Sequence, residues 1–117
     1  MIAIFFALSQ EVASLKSQVN ILKKIRYANA VFYQAEFCGF PVTLVQTGVG
    51  KNVSEAIHQL STYFRIQLMV SSGFTGSVNP KVGVGDLVIG RRVLSSSRGV
   101  SEEGIPIDSA LPCDASA

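Results

Sequence analysis

QLMVSSGFTGSVNPKVGVGDLVIG, residues 67–90, is the stretch on which the fold turns. It reads as two strands around a glycine-bearing loop. Leu68, Met69 and Val70 make a short apolar run within 67–72, suited to a strand covered on both faces. Leu87, Val88 and Ile89, within 86–90, read the same way. Between them lie Gly73, Gly76, Gly83 and Gly85, with Pro80 after Asn79. Glycine permits positive φ and lets another group approach the backbone where a Cβ would intrude. A small-residue loop leaving a buried strand is where open α/β sheets bind ligands. The same residues also make plain turns, so on this loop alone both readings stand, turns being the simpler.

Upstream, Ile2 to Ala7 is a first strand, apolar on both faces and therefore central. Ser9 is placed to cap a helix in which Val12, Leu15, Val19 and Leu22 recur at helical spacing. Glu11 falls in the first turn, where the helix dipole favours a carboxylate. Residues 23–29 read as a basic, polar connection. Residues 30–37 alternate, 38–41 make a turn and 42–47 return, which predicts an antiparallel hairpin. Thr47-Gly48-Val49-Gly50-Lys51-Asn52 then leads into a helix running to about Phe64, with Asn52 and Glu55 spaced as a capping box. Ala56, Ile57, Leu60 and Phe64 give that helix an apolar face. Beyond Leu94 periodicity fails, and the rest reads as loop. Helices alternating with apolar strands predict an α/β fold: a three-layer, mixed, mostly parallel sheet with flanking helices. A covered sheet that ends near Val93 reads as half of a larger one.

The totals agree with one domain or part of one. The chain has 117 residues, 48% of them hydrophobic and 15% charged, enough apolar content for a packed core. A net charge of +2 gives no footprint for nucleic acid or an acidic membrane. All ten Lys and Arg precede residue 99, whereas Glu102, Glu103, Asp108 and Asp114 follow it without a base. Two distant cysteines, Cys38 and Cys113, suit free thiols in a reducing compartment, hence a cytoplasmic location. The opening MIAIFFAL is too short to span a membrane and lacks the flanks of a signal peptide.

Several motifs fail on spacing. A phosphate loop ending at Gly50-Lys51 needs glycine at Val45 and Ser or Thr at Asn52. The dinucleotide fingerprint fails because Val53 follows Gly48 and Gly50, and Val88 follows Gly83 and Gly85. His58 is the only histidine, and without a carboxylate or cysteine in register it reads as a structural or surface residue. No Ser-His-Asp triad, His-based zinc site or cofactor follows from this chain.

Three segments in order carry a resemblance. They are Ala7-Leu8-Ser9-Gln10-Glu11-Val12, Thr47-Gly48-Val49-Gly50-Lys51, and Ser72-Gly73-Phe74-Thr75-Gly76 followed by residues 82–89. Together they resemble the nucleoside phosphorylase superfamily, most of all its 5′-methylthioadenosine/S-adenosylhomocysteine nucleosidase branch. The resemblance covers residues 1–94, as the N-terminal half of such a domain, and leaves 95–117 as an irregular acidic tail. It implies cleavage of a purine nucleoside N-glycosidic bond, with water or phosphate attacking the anomeric carbon. Glu11 matches the carboxylate that orients and deprotonates water in the nucleosidases. Without the resemblance, a dipole-stabilising surface Glu is the competing reading. Leu8 matches a residue near the ribose, Val49 one lining the pocket for the 5′ substituent, and Thr75 and Gly76 backbone positions under the nucleoside.

Two departures bear on the nucleophile. Phe74 stands where the nucleosidases carry serine, and Ser71 where the hexameric phosphorylases carry arginine. Both weaken phosphate binding, so hydrolysis is favoured over phosphorolysis, and Phe74 is placed to stack on a base or sugar or to fill the pocket. The ribose-binding Met-Glu pair and the purine-protonating aspartic acid belong to the family's second half, which this chain does not match. The chain alone is therefore expected to show little or no turnover. The alternative is a non-catalytic or truncated member that binds a nucleoside or a partner. The resemblance also implies a homo-oligomer, a dimer or larger.

Overall fold

The computed structural model describes residues 1–27, 29–48, 52–95 and 109–112, with backbone only at 52, 94, 95 and 109–112. The chain forms two compact units, Met1–Gly76 and Ser77–Ala117.

In the first unit, β1 (Ile2–Phe6), α1 (Ser9–Lys16), β2 (Asn20–Tyr27), β3 (Ala30–Phe37), β4 (Phe40–Gln46), α2 (Asn52–Tyr63) and β5 (Leu68–Ser71) follow in turn. The five strands make one sheet in the order β2-β3-β4-β1-β5. β1 pairs parallel with both β4 and β5, while β3 is antiparallel to β2 and β4. Four strands therefore run one way and β3 alone opposes them. This is the mixed, mostly parallel sheet expected.

The helices cover opposite faces, which makes three layers. Successive β1 side chains point to opposite faces. Ala3 and Phe5 join Phe32, Val45 and the α2 residues Ala56 and Leu60 in one core cluster. Phe6 joins Val31, Tyr33, Val42, Leu44 and the α1 residue Val12 in the other. An apolar run without alternation is what a strand covered on both sides requires. The predicted hairpin is present, with a tighter turn. Phe37 pairs with Phe40, leaving Cys38 (φ 51°) and Gly39 (φ 79°) as a two-residue loop. Two successive positive φ values fit the twist of a type I′ turn.

The structure corrects four expectations in this unit. β5 is an exposed edge strand, not one covered on both faces. The first helix stops at Lys16, with Ser17 as its C-cap, and does not reach Leu22. Its N-cap is Leu8, not Ser9. Residues 23–27, read as part of a connection, belong instead to the edge strand β2, which has a register shift between Ile21 and Lys23. Leu22 is the extra residue there, so alternation breaks where a pattern search would look for it. Val19 still packs in the α1 cluster from beyond the helix end, which explains the apparent helical spacing. The capping box at Asn52 rests on a side chain outside the described ones.

In the second unit, β6 (Arg92–Ser95) and β7 (Ser109–Pro112) pair antiparallel. Residues 87–89 are not a strand, and Leu87 is 86% exposed. A strand exists by virtue of a paired neighbour, and this apolar run has no ladder partner among the described residues. Part of the segment read as loop, 109–112, is strand instead.

Candidate active site

The parallel strands β1, β4 and β5 end together, and their last hydrogen bonds shape what lies above. Beyond β4, the Thr47 N–H donates to the Phe6 carbonyl and the Gly48 N–H to that of Ala7, each at 2.9 Å. Beyond β5, the Ser72 N–H donates to the Phe5 carbonyl at 2.9 Å. The carboxyl end of β1 is thus gripped from both sides. In an open α/β sheet this end of the strands is the one that receives ligands.

α1 starts immediately after β1, which brings Glu11 back over that end. Glu11 Oε2 accepts the N–H groups of Ala7 and Leu8, both at 3.0 Å. Its Oε1 accepts the Phe74 N–H at 3.2 Å, across 63 positions of sequence. One carboxylate therefore ties the start of α1 to the loop leaving β5. The N–H groups of Leu8, then Phe74, and finally Ala7 stabilise its ionised form and outweigh the opposing cost of desolvation. They hold its pKa below the ordinary glutamate value. The helix dipole acts in the same direction.

A cavity of about 620 Å3 opens beside this carboxylate. Phe5, Phe6 and Ala7 of β1 and its end line it, with Thr47, Gly48, the α2 residues Val53 and Ile57, and Met69 to Thr75. Glu11 is the only charged side chain among these described lining residues. The volume and the mostly apolar wall with a few polar groups are of the kind that holds a small organic ligand.

Glu11, Phe74 and Thr75 come together at this cavity. Phe74 is 75% exposed, its ring uncovered by protein. Leu8 contributes its backbone N–H, and its side chain is not part of the wall. Gly76 is likewise outside the wall, and Val49 lies outside the described residues. Ala7, Thr47 and Gly73 were not singled out from sequence as site residues. Ala7 acts through its backbone N–H, which leaves no residue-type signal, whereas Gly73 is one of the loop glycines, and its lack of a Cβ admits the carboxylate. Thr47 donates its hydroxyl to the Gly48 carbonyl at 2.9 Å, with the Phe6 carbonyl at 3.3 Å as the alternative acceptor. Gly83 and Gly85 make a turn of their own: the Gly83 N–H donates to Asp86 Oδ2 at 2.8 Å, and Gly85 has φ 88°. His58 is exposed on α2. Among the described residues no three His, Cys, Asp or Glu side chains cluster as metal ligands would, and no helix is long and apolar enough to cross a membrane.

The sequence profile of the Phosphorylase superfamily matches residues 1–116. The chain belongs to this superfamily. A 5′-methylthioadenosine/S-adenosylhomocysteine nucleosidase of Staphylococcus saprophyticus is 36% identical over 90 residues, which are 76% of this chain and 40% of that protein. The Listeria innocua enzyme of the same name is 28% identical over 104 residues, 88% of this chain and 45% of that one. Among solved structures, the Neisseria meningitidis nucleosidase in complex with methylthio-immucillin-A superposes with a TM-score of 0.79 at 23% identity. That match covers 97% of this chain and 52% of that one. The Colwellia psychrerythraea nucleosidase in complex with adenine gives a TM-score of 0.75 at 28% identity, covering 92% and 45%. The chain spans about half the length of these superfamily relatives.

Proposed function

We propose that this protein is, or is part of, a purine nucleosidase that hydrolyses the N-glycosidic bond of a nucleoside such as 5′-methylthioadenosine. One observation carries the proposal: a single ionised carboxylate, Glu11, held by three N–H groups at the edge of a cavity above the ends of parallel strands. In that position Glu11 orients a water and takes its proton. The water oxygen forms the new bond to the anomeric carbon. The C–N bond breaks with its electron pair going to the purine, and a purine nitrogen gains a proton. The group supplying that proton is expected in the half of the family that this chain does not match. The sugar centre is oxocarbenium-like, so an ionised and well-oriented carboxylate matters more than a strongly basic one.

Phe74 and Thr75 are the proposed substrate contacts on the loop, with Val49, Leu8 and Gly76 as the further positions matched by resemblance. Water is favoured over phosphate because the described wall holds no cation to receive a phosphate. An assembly of two or more copies is part of the proposal. The apolar side chains of Leu68, Met69 and Val70 on the edge strand β5 are exposed and carry no charge to discourage pairing. A cytoplasmic location accords with the free thiol of Cys38.

The test is adenine release from 5′-methylthioadenosine, with and without phosphate, by the chain and by Glu11→Gln. Release that ignores phosphate and is lost in the variant supports the nucleosidase. Release that needs phosphate and yields ribose 1-phosphate makes the protein a phosphorylase. Saturable nucleoside binding without turnover, unchanged in Glu11→Gln, makes it a binding module.

A further inference from the structure

Glu11 can hold its position only because residue 73 has no side chain. A Cβ built on Gly73 would lie 2.8 Å from Glu11 Oε1, 3.0 Å from its Cδ and 3.2 Å from Oε2. These are its three nearest neighbours, all of them atoms of one carboxylate. Ordinary contact begins near 3.4 Å, so Oε1 would have to retreat by about 0.6 Å. Gly73 is not among the positive-φ glycines, so its conformation does not demand glycine. What demands glycine is the approach of the carboxylate.

The approach settles which oxygen is left to act. A carboxylate offers about four lone-pair directions. Oε2 uses two on the N–H groups of Ala7 and Leu8, and Oε1 uses one on that of Phe74. The remaining direction is on Oε1, the atom nearest the absent Cβ. We infer that Gly73 is a positioning residue, whose lack of a side chain seats the Glu11 carboxylate against the β5 loop and keeps Oε1 open to the attacking water. This deepens the proposed function and rests on Glu11 as its base.

The carboxylate is the mobile end of a flexible side chain, so a methyl at residue 73 displaces it rather than breaking the fold. The long 3.2 Å bond from the Phe74 N–H gives way first. In Gly73→Ala, kcat is expected to fall about a hundredfold, the scale of a misplaced catalytic group, with KM little changed. The deciding measurement does not need turnover. An NMR titration of the Glu11 carboxyl in the full chain should show its pKa below the ordinary glutamate value in the native protein and raised towards that value in Gly73→Ala. An unshifted titration in a folded Gly73→Ala overturns the inference, whether or not the chain is a nucleosidase. A shifted titration in a chain without turnover supports the Gly73 contact while the function fails. If Gly73→Ala does not fold, the same substitution in a Glu11→Ala background should fold with the Tm of Glu11→Ala alone. A double variant that is unfolded or markedly less stable overturns the inference, because residue 73 would then be constrained by something other than Glu11.

Discussion

Glu11 and Asp86 are two carboxylates that both accept backbone N–H groups from glycine-bearing loops. Asp86 reaches back three residues to the Gly83 N–H, and the Asp86 N–H returns to the Gly83 carbonyl at 3.2 Å. That exchange closes a local turn and involves nothing else. Glu11 takes two N–H groups from the start of its own helix and a third from Phe74, 63 positions away. The first arrangement follows from the spacing of neighbours. The second exists only once β1 and β5 lie side by side. The same chemistry thus makes a turn in one place and, in the other, an ionised group fixed at the rim of a cavity.

The largest expected effect is on the hydrolysis proposed for Glu11. Replacing a positioned general base costs roughly 100- to 10,000-fold in rate. Glu11→Gln should lose activity on that scale in steady-state assays, while Asp86→Asn, which keeps an oxygen acceptor, should retain it. Comparable losses in both variants would erase the distinction between the two carboxylates.

A second effect concerns acid. The folded-state pKa of Glu11 is lowered by the N–H groups of Leu8, Phe74 and Ala7. A carboxylate with a lowered folded pKa contributes stability that is present above its unfolded pKa and lost as pH falls through the folded one. The native protein should therefore melt above Glu11→Gln near neutral pH, and the gap should close as pH drops through the Glu11 value. A gap that stays constant with pH would mean that the three N–H groups do not favour the ionised carboxylate.

Much of the frame was legible because it is written in local signals. β1 and β5 are apolar runs without alternation, though only β1 is covered on both faces and β5 is an exposed edge, and the Cys38-Gly39 turn sits between two alternating segments. β2 was hidden by its bulge at Leu22 and by the Lys23, Lys24 and Arg26 that guard it as an edge. Lys24 faces the Tyr33 ring at 5.8 Å, and Lys16 of α1 lies 4.3 Å from the same ring and donates to the Tyr33 hydroxyl, so a lysine that looked like part of a connection is seated on the sheet. At the candidate site, Glu11 and Phe74 were legible as side chains and Thr75 as a backbone position, all three through the resemblance. Gly73 was legible only as a loop glycine open to some approaching group, since an absent Cβ does not say which group fills its place. Residues 87–89 show the converse: an apolar run suited to a strand does not become one without a neighbour.

The smallest effect belongs to the turn. Asp86 is exposed, and its bond to the Gly83 N–H is replaced by water when the side chain is cut back. Asp86→Ala should cost about 1 kcal/mol locally, the net worth of a single hydrogen bond. By hydrogen exchange, that loss amounts to about a fivefold drop in protection of the Gly83 amide. The Phe74 amide should keep its protection, since its acceptor is Glu11. In Glu11→Ala the pattern should reverse, with Phe74 losing protection and Gly83 keeping it. Each carboxylate then governs its own loop, and only the one assembled by tertiary structure governs the cavity. Loss of protection at both amides in either variant would instead make the two loops one cooperative unit.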